Sequence, residues 1–91
     1  MKVYIAGKIT GCPDYFEAFA EAAFTIRTAG DEPVNPCGAP EGLTYRQYIN
    51  RALKLLMKCD AIYMLPGWKD SKGAKLEKTY AETVGLPRYL L

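Results

Sequence analysis

Short apolar runs alternate with longer amphipathic stretches along this whole chain, and no other feature narrows its possible folds so far. Val3-Tyr4-Ile5-Ala6 is an apolar run closed by Gly7 and reads as a buried strand. From residue 15 to about 28 the period becomes helical. At about 100° per residue, Tyr15, Phe16, Phe19, Ala22, Ala23 and Ile26 share one arc, and Glu17, Glu21, Thr25 and Thr28 share the opposite one. Asp14 is the predicted N-cap and Gly30 the stop signal. Glu32-Pro33-Val34-Asn35 is a weak second strand. Thr44-x-x-Gln47 has the capping-box pattern. The helix it opens extends to about residue 58, with Tyr45, Tyr48, Ile49, Ala52, Leu53 and Leu56 on its apolar face. Ala61-Ile62-Tyr63-Met64-Leu65 is the clearest strand. A third helix is predicted from about residue 73 to 84, stopped by Gly85 and Pro87, and Arg88-Tyr89-Leu90-Leu91 reads as a last strand.

Strand followed by helix, three times over and then a strand, predicts an α/β fold. The expected architecture is a four-stranded parallel sheet with helices on both faces and right-handed crossovers. With 91 residues the chain is expected to form one domain over residues 1–91. A domain of that size buries about 60–65% of its unfolded surface. In such sheets ligands bind beyond the carboxyl ends of the strands. The loops at residues 7–13, 35–43 and 66–72 are therefore the default carriers of function, Asn35 and Gly67 among them.

Composition excludes several classes. Twelve Lys and Arg against ten Asp and Glu give a net charge of +2, too balanced for a nucleic-acid polymer footprint. No apolar run approaches the roughly 18–20 residues of a membrane span, so no membrane partner is expected. Met1-Lys2 leads straight into the first apolar run, which is read as no secretory leader. The three Cys are widely spaced and odd in number. That fits neither a disulfide framework nor a zinc site, and the expected compartment is a reducing cytoplasm. There is no His, so His-based triads and imidazole acid–base chemistry are excluded. Neither a metal nor a cofactor is expected.

Glu77 is the most informative single residue. Ala74, Leu76, Tyr80, Ala81 and Val84 define the apolar arc of the third helix, and Glu77 falls in its middle. A carboxylate that faces a sheet needs a partner or a purpose. Its side chain leans toward the helix N-terminus, where the strand-end crevice is expected. It suits a nucleophile or a base; the alternative is a structural Glu bound to backbone N–H groups or a Lys. Gly7-Lys8-Ile9-Thr10-Gly11 lies between strand and helix. Its glycines let N–H groups approach an anion, while Lys8 adds charge and Thr10 a hydroxyl. Trp68 offers a stacking face, or simply a half-buried hydrophobe. Asp70 or Ser71 is positioned to cap the third helix. Tyr4, in the first strand, needs a partner for its hydroxyl, and Glu77 is a candidate. The cysteines read as small buried hydrophobes, with no His to activate a thiol.

Three segments fall in a telling order: Val3-Tyr4-Ile5-Ala6-Gly7-x-Ile9-Thr10-Gly11, Cys59-Asp60-Ala61-Ile62, and Ser71-x-Gly73-x-x-x-Glu77-x-x-x-Ala81. Together they resemble the nucleoside 2-deoxyribosyltransferase superfamily, in particular a small branch found in phages and bacteria. The resemblance implies a flavodoxin-like three-layer sandwich and chemistry at an N-glycosidic bond. By that resemblance Glu77 attacks the anomeric carbon of a (deoxy)ribose, the base departs, and water or a second base resolves the glycosyl-enzyme. Tyr4 matches the Tyr that orients the nucleophile. Ser71, six residues before Glu77, matches the Ser that holds a 5′-phosphate together with the 7–11 loop. Ser71 and Lys8 favour a nucleoside 5′-monophosphate over a free nucleoside. Members are dimers or larger, which implies a homodimer or higher homo-oligomer.

Two positions depart from the family pattern. Ala52, eight residues before Asp60, stands where relatives carry an inward Asp that handles the leaving base. General-acid help is typically worth about 10²–10⁴-fold. A protein that binds a nucleotide without turning it over is therefore the alternative function, and an interaction protein with a vestigial cleft is a third. Lys8 stands where relatives have Pro. It fits an anion loop but could also fill the site by pairing with Glu77.

Overall fold

The computed structural model describes residues 1–90. Its elements are β1 (Lys2–Ala6), α1 (Tyr15–Thr28), β2 (Glu32–Val34), α2 (Tyr45–Leu56), β3 (Ala61–Met64), a 3₁₀ turn (Trp68–Asp70) and α3 (Lys72–Val84). The strands form one parallel sheet in the order β2-β1-β3. Tyr4 lies opposite Val34 on one side and Ile62 on the other. Strand order reverses at β1, so the carboxyl end of β1 is the switch point where an open α/β sheet offers a crevice.

The two-residue alternation of β1 splits the core. Val3 and Ile5 face α1 and pack with Phe19, Ala22, Ala23 and Ile26. Tyr4 and Ala6 face the other way, with Ala52 and Leu56 of α2 and Ala74 and Ala81 of α3. α1 thus covers one face, and α2 and α3 cover the other. The small residues on α2 and α3 leave room for the one large ring, Tyr4, beneath them. Burying each large side chain such as Ile5, Phe19 or Leu56 is worth about 1.5–3 kcal/mol.

Local signals mark the helix ends. Thr44 Oγ1 accepts the Gln47 N–H at 3.2 Å, and Gln47 Oε1 accepts the Thr44 N–H at 2.9 Å, completing the capping box. Ser71 Oγ accepts the Ala74 N–H at 3.1 Å, so α3 begins at Lys72, one residue earlier than predicted. α2 ends at Leu56 rather than residue 58 because the chain tightens there: Lys58 and Cys59 donate to the carbonyls of Leu55 and Leu56. Asp14 precedes α1 but makes no side-chain cap bond.

The sheet has three strands, not the predicted four. Arg88 forms only an isolated parallel bridge with Ile62. Ile62 N–H donates to Pro87 O at 3.0 Å and Tyr89 N–H donates to Ile62 O at 2.7 Å. Pro87 has no N–H to extend the ladder. Beyond that rung the Tyr89 hydroxyl donates to Asp31 at 2.6 Å, and Leu90 is 82% exposed, so no burial holds it against the sheet. The last residue of the predicted strand, Leu91, lies outside the described residues. The helical arcs are also narrower than predicted: Phe16, Leu76 and Val84 are exposed. Phe16 and Leu76 lie at the edges of their arcs, and Val84 is the last residue of α3. No helix among the described residues is long and apolar enough to cross a membrane.

Candidate functional site

The site starts from a close approach of backbone to side chain. A Cβ on Gly7 would lie 2.8 Å from Leu65 Cδ1, so only glycine lets the chain leave β1 flush against the end of β3. Lys8, Ile9 and Thr10 then line one wall of a cleft of about 400 Å³, within the range of small-molecule sites. The N-terminal turn of α3 forms another wall, with Asp70, Ser71 and Gly73. A Cβ on Gly73 would sit 3.3 Å from Ile49 Cδ1, which lets α2 and α3 approach. α2 supplies the third wall.

Glu77 lines this cleft and is the buried charged residue of the described core, 6% exposed. The Tyr4 hydroxyl, itself fully buried, donates a hydrogen bond to Glu77 Oε2. Burial raises the Glu77 carboxyl to about 7, with the Tyr4 hydrogen bond pulling the other way. Burial first, then the Glu77 charge, push the Tyr4 hydroxyl far above the usual phenol range. Tyr4 is therefore a fixed donor, and Glu77 exchanges its proton close to neutrality. The side-chain ion pair among the described residues is Lys78–Glu82, besides the Met1 amino group on Asp31. Lys8 does not pair with Glu77, and the carboxylate is not sealed by a cation.

The structure brings together Tyr4, Gly7, Lys8, Ile9, Thr10, Asp70, Ser71, Gly73 and Glu77 around one cleft. It places the other predicted residues elsewhere. Asn35 Oδ1 accepts the Cys37 N–H at 3.0 Å and shapes its own loop. Gly11 and Gly67 hold positive φ in turns. Trp68 packs half-buried on the α2–α3 face, with Lys69, Lys78 and Arg88 over its ring at 5.3–5.9 Å. None of the cysteines lines the cleft. The Cys59 thiol, donating to Leu55 O at 3.3 Å, is pushed up to about 11 by burial.

The model of the family described as Domain of unknown function (DUF4406) matches residues 1–89. The chain belongs to that family. No curated protein and no solved structure matches it. In this DUF4406 chain the cleft also contains residues that periodicity assigned to the core, chiefly Tyr45 and Tyr48. One signal did mark them: two hydroxyl-bearing rings at the start of α2, the end facing the strand termini. Burial, then the Glu77 charge, push the Tyr48 phenol up to about 12. The described residues hold no cluster of three or more His, Cys, Asp or Glu placed to bind a metal. The chemistry on offer is a near-neutral carboxylate steadied by one phenol, beside a cationic, hydroxyl-bearing loop and a helix N-terminus.

Proposed function

We propose that this DUF4406 protein acts on an N-glycosidic bond, as a nucleoside 5′-monophosphate N-glycosidase or a nucleoside deoxyribosyltransferase. The observation that carries this reading is Glu77: a buried carboxyl, hydrogen-bonded by Tyr4, in the wall of a cleft large enough for a nucleotide. The resemblance to the nucleoside 2-deoxyribosyltransferase superfamily supports it, as does the β2-β1-β3 order, which fits a flavodoxin-like sheet.

In this reading a Glu77 oxygen attacks C1′ of the sugar. The C1′–N bond breaks, its electron pair leaves with the base, and a glycosyl ester forms. Water or a second base then attacks C1′ and releases Glu77 as carboxylate. Tyr4 donates to Oε2 and leaves the other oxygen to react. Lys8, Thr10, Ser71 and the dipole of α3 receive the 5′-phosphate. The same reading has the protein working in the cytoplasm, a reducing compartment that suits its three free thiols, as a homodimer or higher homo-oligomer.

Ala52 favours a second reading. It is buried against Tyr4 and Ala74 and offers no proton to a leaving base, so the cleft would hold a nucleotide without cleaving it. One experiment separates the two. The protein is incubated with 2′-deoxynucleoside 5′-monophosphates and free nucleosides, and released base is measured by chromatography. Release from the monophosphates that vanishes in Glu77→Ala is expected. Thermal stabilisation by the nucleotide without release would establish the binder. Neither release nor stabilisation overturns both.

A further inference from the structure

Cleaving a C1′–N bond needs two groups: one to attack the sugar and one to meet the charge that develops on the base. Glu77 is the first, and the structure offers a second on α2. Tyr48 lines the cleft one helical turn before Ala52, on the same face. The side-chain hydrogen bonds around it join Tyr4 to Glu77, Thr44 to Gln47 and Arg51 to Pro36. Among the described residues the Tyr48 hydroxyl is left free. It lies near enough to Glu77 to feel its charge.

The other proton-bearing groups of the cleft are at the first turn of α3 or, like Thr10, exposed at its rim. The Tyr45 hydroxyl is 3.8 Å from where a Cβ on Gly73 would stand, and Ser71 Oγ is 3.9 Å from that point. Both therefore sit at the first turn of α3, the anion-binding end. Asp70 is exposed next to Ser71. Lys8 and Lys72 are cations, suited to a phosphate. Tyr48 combines a half-buried place in the cleft, an unengaged donor and a phenol that feels the Glu77 charge, whereas Tyr45 is 61% exposed.

We propose that Tyr48 is the catalytic residue on the leaving-group side, donating its hydroxyl proton to the base as the C1′–N bond breaks. This rests on the N-glycosidase reading above. As Glu77 becomes an ester its charge disappears, and with it one of the two main causes that hold the phenol proton so tightly. The phenol thus becomes more acidic during the step in which it must give up the proton. In hydrolysis the resulting phenolate takes a proton from the water that attacks C1′, and Glu77 leaves as carboxylate. Atoms and charge then balance over the cycle.

The test is leaving-group dependence in Tyr48→Phe, which keeps the ring and its packing. Substrates are 2-deoxyribose 5-phosphates bearing guanine or uracil, which need protonation, and 7-methylguanine or 4-nitrophenol, which leave without it. The expected loss is about 10²-fold on the natural bases and no more than about threefold on the activated groups. A uniform loss on all four, or no loss on any, overturns the proposal. So does the same leaving-group pattern in Asp70→Asn with Tyr48→Phe unaffected. If the wild type cleaves the activated substrates but Tyr48→Phe shows no discrimination, only the assignment of Tyr48 falls. If the wild type cleaves none of the four, the N-glycosidase reading falls with it.

Discussion

A carboxyl whose proton is held more tightly in the folded chain than in the unfolded one makes stability depend on pH. Glu77 rises from an ordinary 4.5 to about 7 on folding, through burial. Between those values the folded state binds more protons than the unfolded state, so stability falls as pH rises through that window. The loss is complete above about pH 7 and amounts to about 3 kcal/mol. Glu77→Gln keeps an acceptor for the Tyr4 hydroxyl and removes the charge. It is expected to be more stable than the wild type at pH 8, by roughly that amount, and no more stable at pH 4. Urea unfolding at the two pH values checks this; a Gln variant weaker at pH 8 would mean that the ionised carboxylate has a stabilising partner. A group kept at such a cost was legible in the sequence, because an acid in the middle of an apolar arc breaks the helical pattern. Tyr48 was marked only by its hydroxyl at the start of α2; its place in the cleft was not legible, because a Tyr satisfies an apolar face and a polar cleft equally.

At the scale of elements, the exit from β1 depends on the missing side chain of Gly7. Gly7→Ala would place a Cβ 2.8 Å from Leu65 Cδ1 and 3.0 Å from Leu65 Cβ. The overpacking is expected to cost about 1–3 kcal/mol. In a Leu65→Ala background the same change should cost less, and a double-mutant cycle measured by denaturation reads the difference. Equal costs would show that the loop relaxes without pressing on β3. Helix starts were legible to within a residue because Thr44 and Ser71 cap with their own side chains. The last strand was misjudged because apolar composition does not report hydrogen bonding. Pro87 and the outward Leu90 limit Arg88 to one rung. Asn35 turns its side chain onto the Cys37 amide two residues on, the local bond that Asn favours in loops, whereas the place of Trp68 on the α2–α3 face depends on tertiary packing that loop composition does not encode.

At the scale of the whole molecule, the alternating pattern was enough to set the parallel sheet and the position of its crevice. It could not set the width of the sheet, and that width governs how much of each helix is covered. Phe16, at the rim of the covered arc of α1, and Phe24, on the face turned away from the sheet, are 61% and 68% exposed, large apolar rings of the kind that mark a protein–protein contact when they fall together. A homodimer or higher assembly is expected by light scattering, with Phe24→Asp shifting the mass toward the monomer while leaving the circular dichroism unchanged. A monomeric wild type would contradict this.

The phenol and the carboxyl that meet at the heart of the cleft are 73 residues apart in the chain, one on the first strand and the other on the final helix. A polypeptide emerging from the ribosome holds Tyr4 long before Glu77 exists to receive its hydrogen bond. The pair therefore comes into being only when α3 docks, and a partly made chain carries no partial version of it. Heat that frees α3 should abolish function at the same temperature at which the rest of the domain lets go.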